Sequence, residues 1–167
     1  KKSILDATMS PFLLHGGNML KYVFWNNKGG TGKTSLIFQS VCEYADQHPD
    51  KKILAVDVCP QANLSELMLG GQEHQGSSRL LAQHGHVPRR SIGGYFDTRL
   101  PTPFSLPSQF NPKDFITTPS HFHGVIPGNI DLVCGDPLLE LQAIAMNTLA
   151  NANLPGVNTW LAVIDWL

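Results

Sequence analysis

Two lysines bracket a cluster of glycines in the octapeptide Asn27-Lys28-Gly29-Gly30-Thr31-Gly32-Lys33-Thr34. Residues of these types at this spacing are suited to holding a polyphosphate. Glycines let the backbone adopt conformations that a β-carbon blocks, so several N–H groups can turn into one concavity. A helix starting at Lys33 would add its positive dipole end to the same spot. Lys33 then reaches the β- and γ-phosphate oxygens, and the Thr34 hydroxyl can ligate Mg²⁺. An acidic group is added by Asp57, which ends the apolar run Ile53-Leu54-Ala55-Val56.

Three elements must position these groups. Leu20 to Trp25 is apolar on both faces and leads into the glycine loop, which predicts a buried strand. Lys33 to about Asp46 has Leu36, Ile37, Ser40, Val41 and Tyr44 at helical spacing, and His48-Pro49-Asp50 ends that helix. Lys52 to Asp57 is the second strand. Its terminal acid is expected beside the loop, at the carboxyl ends of the strands, where open parallel sheets bind ligands.

The loop departs from the ordinary phosphate-binding pattern, which needs glycine where Asn27 stands, and it has the extra Lys28. Lys28-Gly29-Gly30-Thr31-Gly32-Lys33-Thr34 resembles the deviant Walker A loop of the ParA/MinD family of P-loop ATPases. Asp57, Pro60, Gln61 and Asn63 resemble that family's Asp-x-Asp-Pro-Gln-Gly-Asn segment. Cys59 stands where the family has its second aspartate, and Ala62 where it has glycine. The strand Gly128 to Asp136 resembles the family's Asn-Leu-x-Leu-Ile-Pro-Gly strand. The resemblance covers Leu20 to Gly71 with specific motifs and extends weakly over Ser91 to Leu167.

The resemblance implies an α/β fold of the P-loop NTPase type, a mostly parallel sheet flanked by helices. It implies ATP and Mg²⁺ as cofactors. Lys28, Gly29, Gly30, Thr31, Gly32, Lys33, Thr34 and Ser35 would bind the nucleotide. Lys28, Lys33 and Asp57 would act in catalysis, and Thr34 and Asp57 at the metal, Asp57 through a bound water. Lys28 would reach the phosphates of a second subunit, so a nucleotide-dependent homodimer is expected. An adaptor protein is a further expected partner. DNA contact is expected only indirectly or through a carboxyl-terminal region beyond this chain.

A thiol accepts hydrogen bonds weakly and is largely neutral at its ordinary pKa, so Cys59 does not replace a carboxylate that positions water. Binding with weak or absent hydrolysis follows, unless Asp57 compensates. A non-hydrolysing module that recruits a partner in its ATP state is the competing reading, and a structural fragment with an empty loop is a third.

The chain of 167 residues has 42% hydrophobic residues, 15% charged residues and a net charge of -1. These values suit one globular domain and give no global basic field for nucleic acid or an anionic membrane. Apolar stretches fall short of the roughly 20 residues of a membrane span. Cys42, Cys59 and Cys134 are scattered, without a C-x-x-C pair, which reads as a reduced, cytoplasmic protein.

Residues 1–19 are expected to be an amino-terminal extension and 20–167 an incomplete nucleotide-binding domain that stops before the Walker B strand. Asp165 imitates that strand's acid but lies in a helical pattern from Thr159 to Leu167. Within the domain, 70–128 carries seven prolines and is expected to be an irregular insertion, a surface subdomain or partner-binding arm. Short helices are predicted at Ser77–His84 and Ser91–Phe96. Asp136 and Pro137 should start a helix to about Asn151, with Leu138, Leu141, Ile144, Ala145 and Leu149 facing inward. His84-x-His86 and His121-x-His123 lack a completing ligand, and Arg79, Arg89 and Arg90 are expected on a solvated face.

Overall fold

The computed structural model describes residues 19–25, 30–100 and 111–151, with side chains as far as 148. In chain order the elements are α1 (Lys33–Gln47), β1 (Ile53–Val56), α2 (Asn63–Met68), α3 (Gly76–His84), α4 (Ile92–Arg99), β2 (Ile130–Val133) and α5 (Leu139–Asn151). Two 3-10 turns, Pro112–Phe115 and Pro119–His121, precede β2. The result is a mixed arrangement of helices with a two-stranded parallel sheet, compatible with the expected α/β class.

The sheet register pairs Ile53 with Ile130, Leu54 with Asp131, Ala55 with Leu132 and Val56 with Val133. Side chains alternate across a strand, so this register sorts them into two faces. Ala55, Ile130, Leu132 and Cys134 join Ala45 of α1, Met68 and Leu69 beside α2 and Leu80 of α3 in one core. Val133 joins Ile92, Tyr95 and Phe96 of α4, Phe115 and Leu139 in the other. The far edge of β2 is closed by Thr117, which exchanges two 2.8 Å backbone hydrogen bonds with Leu132.

Several expectations change. Leu20 to Trp25 forms no strand, and its apolar side chains are exposed, Val23 and Trp25 by 77% and 79%. Apolar sequence specifies a central strand only where a neighbouring edge supplies hydrogen bonds and layers cover both faces. Among the described residues nothing supplies either for this segment. Helix α1 runs as predicted, but its inward stripe is Ile37, Phe38, Val41, Cys42 and Ala45. Leu36, Ser40 and Tyr44 point outward.

Helix α5 is likewise turned. Leu139, Gln142 and Met146 face α4, while Leu138, Leu141 and Ile144 are exposed. The helix is apolar nearly all round, so periodicity alone did not choose a face. Leu149 lies outside the described side chains, as do the expected helix at 159–167 and nearly all of the extension at 1–19.

Described parts of the proline-rich stretch contribute to the core. Ile92 to Phe96 and Arg99 are buried, and α4 and the Pro112 turn build the second core. Prolines sit at the starts of the 3-10 turns, where a missing N–H costs nothing. Arg79 and Arg89 are structural rather than solvated. Arg79 Nη1 donates to the carbonyls of Leu69, at 2.9 Å, and Phe122. Arg89 pairs with Asp97 at 2.5 Å and with buried Asp136 at 3.4 Å.

Candidate phosphate site at the head of the first helix

Gly30 and Gly32 take left-handed backbone conformations, φ +69° and +75°. A β-carbon at either would be strained, and nothing lies within 4 Å of where it would sit. Gly32 is the N-cap residue of α1, and the first helical hydrogen bond runs from Leu36 N to Gly32 O at 2.9 Å. The first turn of an α-helix leaves N–H groups with no intrahelical carbonyl. Lys33 and Thr34 occupy that turn, both half-buried, followed by exposed Ser35. Lys28 and Gly29 lie outside the described residues.

The direction of α1 is fixed at its tail. Asn129 Nδ2 lies within hydrogen-bond distance of the carbonyls of Ala45, His48 and Lys51, at 3.2, 3.1 and 3.0 Å. Asn129 itself accepts from Ile53 N at 3.0 Å, directly before β2. The carboxyl end of α1 is thus pinned to the amino ends of both strands. Because α1 packs on β1 and α2, its head, carrying Gly32, Lys33 and Thr34, runs toward the carboxyl ends of the strands. Asp57 and Gly135 follow those ends.

Asp57 is 5% exposed and fully engaged in shaping this end of the sheet. Its Oδ1 accepts from Cys59 N at 3.1 Å; Oδ2 accepts from Ser65 N at 3.0 Å and Ser65 Oγ at 2.8 Å. A carboxylate offers about four lone-pair positions, so three are filled and one remains on Oδ1. That capacity fits a water-mediated role at a cation rather than direct, multidentate ligation. Ser65 is the third residue of α2, so Asp57 also supplies the cap that Ala62, in the N-cap position, cannot.

Ala62 has φ +52°, which accounts for the glycine at this place in the family pattern. Cys59 is half-buried in the turn, and its carbonyl accepts from Ala62 N at 3.0 Å. Cys134 is fully buried beside Asp57 and Ser65; burial, reinforced by the Asp57 charge, pushes its thiol up to about 12. It stays protonated at neutral pH.

Ser65 and Asn129 carry this geometry, and sequence reading assigned neither a role. The signal for Ser65 is faint: a hydroxyl eight residues after a strand-ending acid. The histidines do not converge. His84 Nε2 lies 2.8 Å from the Gly135 carbonyl, and His123 lies tilted against His74 with centroids 5.0 Å apart. Among the described residues no group of three His, Cys, Asp or Glu side chains could hold a metal. No described helix is long and apolar enough to cross a membrane.

No family model matches the chain, and no solved structure matches it. It is similar to ATPase GET3 of Lodderomyces elongisporus, at 34% identity over 62 residues. That match takes in 37% of this chain and 17% of that protein. The similarity supports a P-loop ATPase-like character for the chain and nothing finer.

Proposed function

We propose that the protein binds Mg²⁺-ATP at the Gly30–Thr34 loop and acts as a ParA-like, nucleotide-dependent switch. The observation that supports this reading is the pinning of the tail of α1 to the amino ends of both strands, which directs its glycine-capped head toward the end that Asp57 follows. The partial similarity to an ATPase supports the same reading.

In this reading, backbone groups of Gly29, Gly30, Thr31 and Gly32 cradle the phosphates. Lys33 neutralises the β- and γ-oxygens, Thr34 contacts the metal, and Ser35 completes the first turn. Lys28 reaches the phosphates of a second copy and makes dimerisation depend on nucleotide. Asp57 would accept a hydrogen bond from a metal-bound water through Oδ1. Bound Mg²⁺ contributes charge neutralisation across the phosphates. Phosphoryl transfer rests mainly on positioning and charge, so loss of the aspartate at position 59 slows turnover more than binding. Service in DNA partition or positioning, with an adaptor, belongs to the same proposal.

Cys59 favours a second reading, an ATP-binding module that recruits a partner without hydrolysis. Equilibrium binding of a fluorescent ATP analogue with Mg²⁺, to the parent chain and to Lys33→Ala, tests the shared claim. A loss of at least tenfold in the variant is expected; equal affinity removes the phosphate site. Release of labelled phosphate separates the switch from the non-hydrolysing module.

A further inference from the structure

Ser65 touches Asp57 twice. Its amide and its hydroxyl both donate to Oδ2, at 3.0 and 2.8 Å, and the hydroxyl accepts from Gly135 N at 2.8 Å. Both Ser65 and Gly135 are buried, Ser65 at 0% exposure. The Gly135 carbonyl meets His84 Nε2 at 2.8 Å, which ties the same turn to α3. A single hydroxyl therefore joins the acid after β1 to the turn after β2.

The division of labour between the two carboxylate oxygens follows from these bonds. Oδ2 holds two donors from one residue and is saturated. Oδ1 holds one, from Cys59 N, and keeps an acceptor position. A hydroxyl hydrogen rotates to suit its acceptor, and this one is spoken for because Gly135 N approaches the Oγ lone pair from the other side. The carboxylate is held at one rotamer with a defined oxygen left over.

We propose that Ser65 is a positioning residue that fixes Asp57 so that Oδ1 is reserved for a metal-bound water. This rests on the Mg²⁺-ATP reading above and deepens it. Removing the hydroxyl leaves Oδ2 with the Ser65 amide alone and cuts the tie to Gly135 N, which loosens the carboxylate while the phosphate loop is untouched. The Mg²⁺-dependent part of nucleotide binding should weaken, and the metal-free part should not.

The test is titration of a fluorescent ATP analogue into parent, Ser65→Ala and Ser65→Thr chains, at a series of Mg²⁺ concentrations and in excess EDTA. The expected result for Ser65→Ala is a rise of about threefold to tenfold in the Mg²⁺ needed for half-maximal binding, with unchanged affinity in EDTA, and recovery in Ser65→Thr. Ser65→Cys, which keeps volume but donates weakly, is read in the same way should Ser65→Ala not fold. An unchanged Mg²⁺ requirement, or equal weakening with and without Mg²⁺, overturns the positioning role. Absence of any binding to the parent chain overturns the ATP reading instead, so the two failures are distinct.

Discussion

Ser91 donates its hydroxyl to the carboxylate of Asp136 at 2.6 Å, and both side chains are wholly buried. The same two residues start two helices. Ser91 Oγ accepts from Gly94 N at 2.9 Å at the head of α4, and Asp136 Oδ1 accepts from Leu138 N at 2.9 Å just before α5. Arg89 Nε supplies the balancing charge at 3.4 Å. Asp136→Asn leaves that guanidinium without one carboxylate and puts amide hydrogens where acceptors are needed. Arg89 keeps Asp97, which moderates the loss. We expect destabilisation of about 2–4 kcal/mol in urea unfolding, against about 1 kcal/mol for Ser91→Ala.

Gly135 is a contact point between the two strand-end turns. A β-carbon there would lie 2.6 Å from the Cys59 carbonyl and 2.8–2.9 Å from Ala62. Those atoms are mostly backbone and cannot step aside. Gly135→Ala should cost about 2–3 kcal/mol through overpacking. It should also widen the Asp57 turn, detected as faster amide exchange at Ser65.

Cys134 provides a pH signature. Its thiol titrates near 9 when exposed and is pushed up to about 12 in the fold, chiefly by burial. Above the unfolded value the unfolded chain releases this proton while the folded chain keeps it. Stability from this group is thus fully present below pH 9 and falls as pH rises toward 12. Cys134→Ala should show a shallower loss of stability than the parent over that range. At pH 8 a maleimide should modify Cys59 before Cys134 in the folded protein.

Cys59→Asp should raise phosphate release if this turn serves the attacking water. Nucleotide affinity should change little, because the loop and Lys33 are unaltered. An increase in turnover of about tenfold to a hundredfold corresponds to about 1.4–2.8 kcal/mol of transition-state stabilisation. Unchanged turnover favours the non-hydrolysing module.

Asn129→Asp probes the helix tail. The amide faces three carbonyls, 3.0–3.2 Å away, and a carboxylate cannot donate to any of them. It would also place negative charge at the negative end of α1. A loss of about 2–3 kcal/mol is expected, read as a lower midpoint in thermal or urea unfolding.

Local grammar made much of this legible. Pro49 and the stripe containing Ile37 and Val41 bound α1 nearly to the residue, and the apolar run ending at Asp57 and the stretch Gly128 to Asp136 located the two strands of the sheet. Asp136 was readable as a cap because Asp-Pro before an apolar helix has a physical meaning. What escaped was long-range. Nothing local says that Ser65 meets Gly135 across 70 positions, or that Asn129 closes a helix ending more than 80 residues earlier. Leu138, Leu141 and Ile144 looked inward because apolar residues ring α5, and only the packing of Leu139 and Gln142 on α4 breaks the tie. Leu20 to Trp25 had the composition of a strand, but composition does not provide a neighbour.

With its tail clamped by a single amide, α1 behaves as a lever whose fulcrum lies at the roots of the strands. Its 15 residues span about 22 Å, so a tilt of about 5° about that fulcrum sweeps the opposite tip through about 2 Å. A ligand at the glycine-rich tip would act at the long end of that arm. Any such tilt would pivot at Asn129, at the end of α1 opposite its glycines.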